Sequence, residues 1–243
     1  MNKVDFHKRV VVERFSQTAL GYERHAKLQQ LVAKRLTSFF AKVERPDILE
    51  IGCGTGFLTG HLLAHYPGAA CDITDLSQAM LDQCAQNFGD HKQLHFRLLD
   101  GEHPKSAKRY DLIATSMTAQ WFAQPAKSLA QLCGLLKPGG VLLYSTIGPD
   151  LFPQWRSVLR ELGLPCGLVD IAKLPGRISE DTYPMRFASG MEFLQNLKLT
   201  GASTPRPGYH SLSAGELRSA IRLFETKMQA RADWHIVYGQ LRG

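Results

Sequence analysis

The stretch that most constrains this chain is Ile48-Leu49-Glu50-Ile51-Gly52-Cys53-Gly54-Thr55-Gly56. An apolar run stops at three glycines spaced by two, and Phe57-Leu58-Thr59-Gly60-His61-Leu62-Leu63 continues at helical spacing. That order is a strand, a turn almost without side chains, and a helix. A ligand can lie against the bare backbone of such a turn. The helix behind it presents unpaired N–H groups and a partial positive charge.

The same unit recurs along the chain. The pattern predicts strands at 47–51, 69–74, 94–98, 110–115 and 141–146, with helices at 57–65, 77–88 and 126–136. Ser77 is placed to cap the second of these helices, and Lys137-Pro138-Gly139-Gly140 reads as a turn. Strands alternating with helices argue for a doubly wound, mostly parallel α/β sheet. Two helices, 8–21 and 23–41, precede the first strand. After the core come a helix at 154–162, a loop at 163–178, a strand at 182–188 and a helix at 190–198. A loop at 201–211, a helix at 214–230 capped by Ser213 and a terminal strand at 234–241 complete the chain. The expected organisation is an N-terminal helical cap or lid (1–45), a ligand-binding core (46–150) and a substrate-side elaboration with lid helices and the last strand (151–243).

Composition narrows the possibilities. No apolar run reaches the ~18 residues of a membrane-spanning helix, so no membrane partner is expected. Met1 to Glu13 is charged and has no apolar signal region, which leads us to expect a cytoplasmic protein. The five cysteines are dispersed and show no C-x-x-C, so they are expected to be reduced, with neither disulfides nor zinc. The nine histidines show no close metal-ligand spacing, and no metal is expected. The net charge of +7 is uneven. Residues 1–45 hold 10 Lys and Arg against 4 Asp and Glu (net +6), residues 46–150 hold 7 against 10 (net −3), and residues 151–243 hold 12 against 8 (net +4). Basic flanks around a mildly acidic core suit an anionic partner, or simply solvate exposed helices.

The neighbours of the glycine turn define its ligand. A dinucleotide site uses G-x-G-x-x-G, with a third glycine where this chain has bulky Phe57. The spacing here is G-x-G-x-G. Glu50, inside the strand, would repel a pyrophosphate but attract the ammonium of an amino-acid moiety, and a charge in an apolar strand needs a partner. Asp75, ending the second strand, suits the two hydroxyls of a ribose, with Asp72 earlier in that strand as a rival. Asp100-Gly101, after the third strand, suits an exocyclic amine such as that of adenine. An amino-acid end, a ribose and an adenine together describe S-adenosylmethionine. Its expected contacts are Glu50, Gly52, Cys53, Gly54, Gly56, Asp75, Leu76, Asp100, Gly101 and Ser116, with S-adenosylhomocysteine as product.

These residues, with Asp75-Leu76-Ser77, Tyr110-Asp111-Leu112-Ile113 and Leu136-Lys137-Pro138-Gly139-Gly140, resemble the motifs of class I S-adenosylmethionine-dependent methyltransferases over residues 47–147. The resemblance implies a seven-stranded sheet with an antiparallel last strand and the cofactor at the carboxyl ends of the first strands. The flanks resemble a narrower family, the malonyl-acyl carrier protein O-methyltransferases of biotin synthesis. The resemblance is carried by residues 12–26 (Val12 to Ala26), by Ser116-Met117-Thr118-Ala119-Gln120-Trp121 and by Asn196-Leu197-Lys198-Leu199-Thr200-Gly201-Ala202-Ser203. Leu164–Pro175 departs from the family, which often carries His-x-Phe there.

The resemblance implies methylation of the free carboxylate of a malonyl thioester on acyl carrier protein. A carboxylate is ionised at neutral pH and needs no general base, so in-line positioning and exclusion of water suffice. Tyr22, beside Gly21, is the expected catalytic side chain, with packing between helices as its alternative. Gln120 and Trp121 are the expected substrate contacts, Trp121 having packing as its alternative. Arg206 is the expected holder of the malonyl carboxylate, with Arg186 and Lys198 as rivals. The acidic carrier would be steered by the basic flanks. Two other readings stand beside this one: a methyltransferase for a small molecule or quinone precursor, and a non-catalytic cofactor-binding module. Nucleic acid is not an expected partner, because residues 116–119 read Ser-Met-Thr-Ala rather than Asn/Asp-Pro-Pro-aromatic.

Overall fold

The computed structural model describes residues 27–168, 173–199 and 209–243. The helix expected at 8–21, Tyr22 and Arg206 lie outside them. The described elements are α1 (Lys27–Leu36), a 3₁₀ turn (Thr37–Phe39), β1 (Asp47–Ile51), α2 (Phe57–His65), β2 (Ala70–Asp75), α3 (Gln78–Phe88), β3 (Leu94–Leu98) and β4 (Tyr110–Ser116). A second 3₁₀ turn (Ala119–Trp121) leads to α4 (Pro125–Cys133), β5 (Leu136–Ile147), α5 (Pro153–Glu161), β6 (Arg177–Arg186), α6 (Gly190–Leu199), α7 (Ala214–Met228) and β7 (Arg231–Arg242).

The seven strands form one sheet in the order β3-β2-β1-β4-β5-β7-β6. β1 pairs in parallel with β2 and β4, β2 with β3, and β4 with β5. Chain direction winds outward both ways from β1, the doubly wound arrangement expected. β7 runs antiparallel to β5: Gly243 N–H donates to Gly140 O at 3.1 Å, while Gly239 faces the Tyr144 ring. Central strands covered on both faces need unbroken apolar runs, and Ile48, Leu49, Ile51, Ile113 and Leu142 are all buried.

Two compact units divide the described chain. One runs to Thr146 and includes Leu174–Ser179 and Val237–Gly243; the other comprises Ile147–Lys173 and Glu180–Ile236. In the first, Leu49, Ile51, Tyr110, Ile113, Leu129, Leu132, Leu142 and Tyr144 form the core between sheet and α4. At the amino ends of its strands, Lys137 Nζ donates to Asp47 and Asp111 at 2.7 Å each, and Lys108 adds an ion pair to Asp47 at 3.0 Å. This knot joins the beginnings of β1, β4 and β5. The hydrogen bond from Lys137 is the main cause of the lowered Asp47 pKa. In the second unit, Phe152, Trp155, Phe193, Phe224 and Trp234 pack ring against ring, with centroids 4.6 Å apart for Phe152–Trp234 and 5.4 Å for Trp155–Phe224. Ser213 and Glu216 close a capping box at the start of α7.

Several elements differ from expectation. The helix expected to run to residue 41 stops at Leu36 and goes on only as a 3₁₀ turn to Phe39, the one expected at 126–136 ends at Cys133, and the last strand starts at Arg231 rather than 234. Lys137-Pro138-Gly139-Gly140 is not a free turn; it lies inside β5 as an irregularity, with the register shifting between Tyr110↔Leu136 and Leu112↔Val141 and Gly139 at φ +78°. β6 begins at Arg177, five residues before the expected strand. Its half-buried face carries Ser179, Asp181, Tyr183 and Met185, so the period of two is present but half polar. This strand ends the sheet order, and an edge tolerates its Pro184.

Gly239 yields a stability prediction. A Cβ there would lie 2.1 Å from the fully buried Tyr144 ring, whose hydroxyl donates to Pro175 O at 2.7 Å. Gly239→Ala should therefore lower the unfolding free energy by about 1–3 kcal/mol, the usual cost of overpacking a core. A denaturant midpoint equal to the parent's would refute it.

Candidate functional site

The turn after β1 divides its three glycines by role. Gly52 (φ +70°) faces Thr118, which a Cβ would meet at 2.4 Å. Gly56 (φ +102°) is the N-cap of α2 and faces the Phe88 ring, again at 2.4 Å from a would-be Cβ. Gly54 (φ +54°) has nothing among the described residues within 4 Å of its own would-be Cβ. Two glycines thus admit neighbouring side chains, and the middle one alone opens to space. The N-cap, being glycine, offers no side-chain hydrogen bond to the α2 N-terminus.

Carboxylates surround this opening. Glu50 is 1% exposed. Its Oε2 accepts from Thr59 Oγ1 at 2.7 Å, whereas Oε1, equally buried, has no hydrogen-bond partner in the described structure. Burial pushes the Glu50 carboxyl well above the usual carboxylate range, and Cys84 and Asp75 push the same way. Asp75, at the end of β2, accepts from Gly54 N–H at 2.9 Å and from Ser77 N–H at 2.8 Å. It braces the glycine turn while each oxygen keeps a further lone pair. Burial raises its pKa too. Leu76 follows with its side chain exposed. Asp100 accepts from Glu102 N–H at 3.0 Å and pairs with His103 Nδ1 at 3.0 Å. Gly101 abuts Ile51 and Phe122 so closely that a Cβ would overlap Ile51. Cys53 and Cys84 are both buried free thiols; Cys53 Sγ donates to Gly54 O at 3.5 Å, and the neighbouring Cys84 thiol together with burial drives the Cys53 thiol upward.

The segment after β4 closes onto the turn. Ser116 ends β4 and shares a 3.1 Å hydrogen bond with Ser145 Oγ. Met117 takes φ +54°, and Thr118 Oγ1 donates to Ser116 O at 3.1 Å. Gln120 and half-buried Trp121 belong to the following 3₁₀ turn. Gln120 Nε2 donates to Met117 O at 2.8 Å and its Oε1 accepts from Thr146 Oγ1 at 3.1 Å. The structure therefore gathers Glu50, Gly52, Cys53, Gly54, Gly56 and Asp75 around the turn and brings the 116–121 segment to it through Thr118. Sequence reasoning missed Thr59 and Thr118. Thr59 has a legible signal, a hydroxyl on the apolar face of α2 nine residues after Glu50. Thr118 lay within a quoted motif with no role assigned. Among the described residues no group of three or more His, Cys, Asp or Glu could hold a metal ion.

The residues present fit an S-adenosylmethionine moiety. A buried carboxylate oxygen without a partner in the described structure is matched to a cationic amine, and Gly54 of the same turn leaves bare backbone for a ligand. A doubly wound sheet with this turn at the carboxyl end of β1 defines a class I S-adenosylmethionine-dependent methyltransferase. Residues 49–142 match the family described as "Methyltransferase domain". The malonyl-[acyl-carrier protein] O-methyltransferase of Magnetococcus marinus is 36% identical over 237 residues, covering 91% of this chain and 88% of that protein. The chain belongs to the malonyl-[acyl-carrier protein] O-methyltransferase family. The biotin biosynthesis bifunctional protein BioCD of Bordetella avium is 34% identical over 246 residues, or 96% of this chain and 52% of that longer protein. Among solved structures, phosphoethanolamine N-methyltransferase 2 of Haemonchus contortus, in complex with S-adenosyl-L-methionine, superposes with a TM-score of 0.54 at 15% identity, covering 94% of this chain and 57% of that one. That likeness is one of fold. No described helix is long and apolar enough to cross a membrane.

Proposed function

We infer that this protein transfers the methyl group of S-adenosylmethionine to the free carboxylate of a malonyl thioester on acyl carrier protein, an early step of biotin synthesis. The observation that carries the reading is the 36% identity to a protein of that name along 91% of the chain, flanks included. When bound, S-adenosylmethionine supplies a sulfonium methyl, an electrophile whose transfer to a carboxylate cancels opposite charges.

The chain's part is to bind, orient and exclude water. Glu50, through its partnerless Oε1, would hold the amino-acid ammonium. Asp75 would accept from the ribose hydroxyls with the lone pairs left over from Gly54 and Ser77. Exposed Leu76 offers an apolar face, and Asp100 with Gly101 would receive the adenine. Cys53 and the backbone of Gly52, Gly54 and Gly56 line the turn, with Ser116 at the β4 end. On the acceptor side, Trp121 would bound the malonyl group, Arg206 would orient its carboxylate, and Tyr22 would close over the methyl. The acceptor is already ionised, so no proton has to be removed; the gain comes from in-line approach in a dry site. An arginine that orients the carboxylate without pairing both oxygens leaves it nucleophilic. The carrier, being acidic, suits the net charges of +6 and +4 on the flanks.

The test is incubation of the purified protein with methyl-labelled cofactor and malonyl–acyl carrier protein. Label should enter an alkali-labile ester on the carrier. Transfer only to free small acceptors, or none, would overturn the reading.

A further inference from the structure

Four consecutive carbonyls, from Ser116 at the end of β4 to Ala119, lie at the edge of the glycine turn, and each already accepts a hydrogen bond from within the same segment. Ser116 O accepts from Thr118 Oγ1 at 3.1 Å and Met117 O from Gln120 Nε2 at 2.8 Å. Thr118 O accepts from Trp121 N–H at 2.9 Å and Ala119 O from Phe122 N–H at 3.2 Å. Three of these bonds arise locally, from a 3₁₀ turn and a threonine. The Met117 bond alone needs a long side chain, and that side chain is itself fixed: Gln120 Oε1 accepts from Thr146 Oγ1 at 3.1 Å, and Thr146 is 2% exposed at the end of β5. Met117 is also the residue held at φ +54°, with its N–H donating to Ser145 O at 3.0 Å and to Ser145 Oγ at 3.2 Å. A non-glycine residue persists in that conformation when its surroundings determine it. Gln120 and Ser145 do so from its two sides.

We propose that Gln120 is a positioning residue that sets acceptor selectivity: by holding the Met117 carbonyl, it completes the engagement of all four carbonyls from Ser116 to Ala119 and so favours a carboxylate over an amine. The proposal rests on the reading that this segment borders the methyl acceptor, which Thr118 supports by its contact with Gly52. The chemistry is a matter of donors and acceptors. An amine carries N–H bonds and becomes more positive as it is methylated, so it gains from carbonyl oxygens aimed at it. A carboxylate is acceptor-only and is repelled by them. Tying the carbonyls back uses one lone pair of each and fixes its direction, which weakens the amine's partners and the carboxylate's repulsion together, a discrimination built against a competitor.

The experiment compares malonyl thioester with glycyl thioester on the same carrier, an amine taking the place of the carboxylate. In the parent, methyl transfer goes to the malonyl group. Gln120→Ala should leave the cofactor dissociation constant unchanged and lower the melting temperature by no more than the loss of two hydrogen bonds accounts for. It should lower kcat for the malonyl substrate and shift the malonyl-to-glycyl ratio of kcat/KM by about tenfold toward the amine. Thr146→Val, which removes only the hydroxyl holding Gln120, should shift the ratio the same way, and Thr146→Ser should restore it. Should Gln120→Ala prove insoluble, the Thr146 pair makes the same measurement. A parental ratio in both Gln120→Ala and Thr146→Val would overturn the proposal, as would a loss of cofactor binding equal to the loss of turnover, which marks a merely structural role. Parent protein that binds cofactor but methylates no malonyl thioester would overturn the proposal together with the reading beneath it.

Discussion

Gly54→Ala should fold like the parent and lose cofactor binding, whereas Gly56→Ala should lose much of its stability. The same methyl group is added two residues apart in one turn. At Gly54 the backbone is left-handed (φ +54°) but the new Cβ meets nothing among the described residues within 4 Å. The conformational cost to alanine is about 1–2 kcal/mol, which a domain of ordinary stability survives. The open space is, however, the space proposed for the ligand, so the methyl group would exclude it. At Gly56, φ of +102° is less accessible to alanine, and the Cβ would overlap Phe88 at 2.4 Å and press Cys84 Sγ at 3.0 Å. Phe88 ends α3, so relief must come from moving a helix rather than a flexible tip. Strain and overpacking together should cost roughly 2–5 kcal/mol. Denaturant melts and calorimetric titration with S-adenosylmethionine separate the two effects. A Gly54→Ala protein that binds as the parent does would place the cofactor elsewhere.

Glu50→Gln should make the cofactor-free protein more stable and its cofactor complex weaker. Burial raises the folded-state pKa of Glu50 well above the usual range. The folded state therefore holds this proton more tightly than the unfolded chain does. The stability associated with it is fully present below the unfolded pKa of about 4.3 and falls as pH rises toward the raised folded value. Glutamine keeps the shape, can still meet Thr59, and carries no charge to desolvate, so the fall with pH should be absent in the variant. The stability difference should thus grow as pH increases. Binding should show the opposite sign. A charged hydrogen bond to the ammonium is worth about 1.5–3 kcal/mol, so the variant's Kd should rise roughly ten- to hundredfold. In the parent, Kd should tighten as pH rises, with proton release seen as a buffer-dependent heat. An unchanged Kd in Glu50→Gln would remove Glu50 from the ligand's contacts.

What the sequence disclosed follows from range. Glycine spacing, the apolar run before it and the helical period after it are local, and β1, α2, α3 and β3 formed where that grammar placed them. Glu50 was legible because a charge in an apolar strand demands an explanation. Its special oxygen was not, since the second contact that leaves Oε1 alone comes from Thr59 on another element. The three glycines looked equivalent; only Phe88, Thr118 and open space distinguish them, and two of those neighbours are more than 30 residues away in sequence. Gln120 read as a substrate contact by position in its motif. Its bonds to Met117 and Thr146 depend on a left-handed residue and a neighbouring strand, neither of which periodicity reveals. The strand expected at 182–188 starts earlier, as β6, because its half-buried face is partly polar, and the turn expected at 137–140 lies within β5 as the irregularity between the pairs Tyr110↔Leu136 and Leu112↔Val141, with Gly140 O accepting from Gly243 N–H.

The Lys137 knot has a consequence for remaking this protein. It ties the beginnings of β1, β4 and β5 by charge, while the turn and the 116–121 segment lie at the other ends of β1 and β4. Anchorage and chemistry thus occupy separate ends of the same strands, each with its own residues. A library that rewrites the acceptor loop leaves the anchor untouched, so new substrates can be sought without first redesigning the scaffold's foundations.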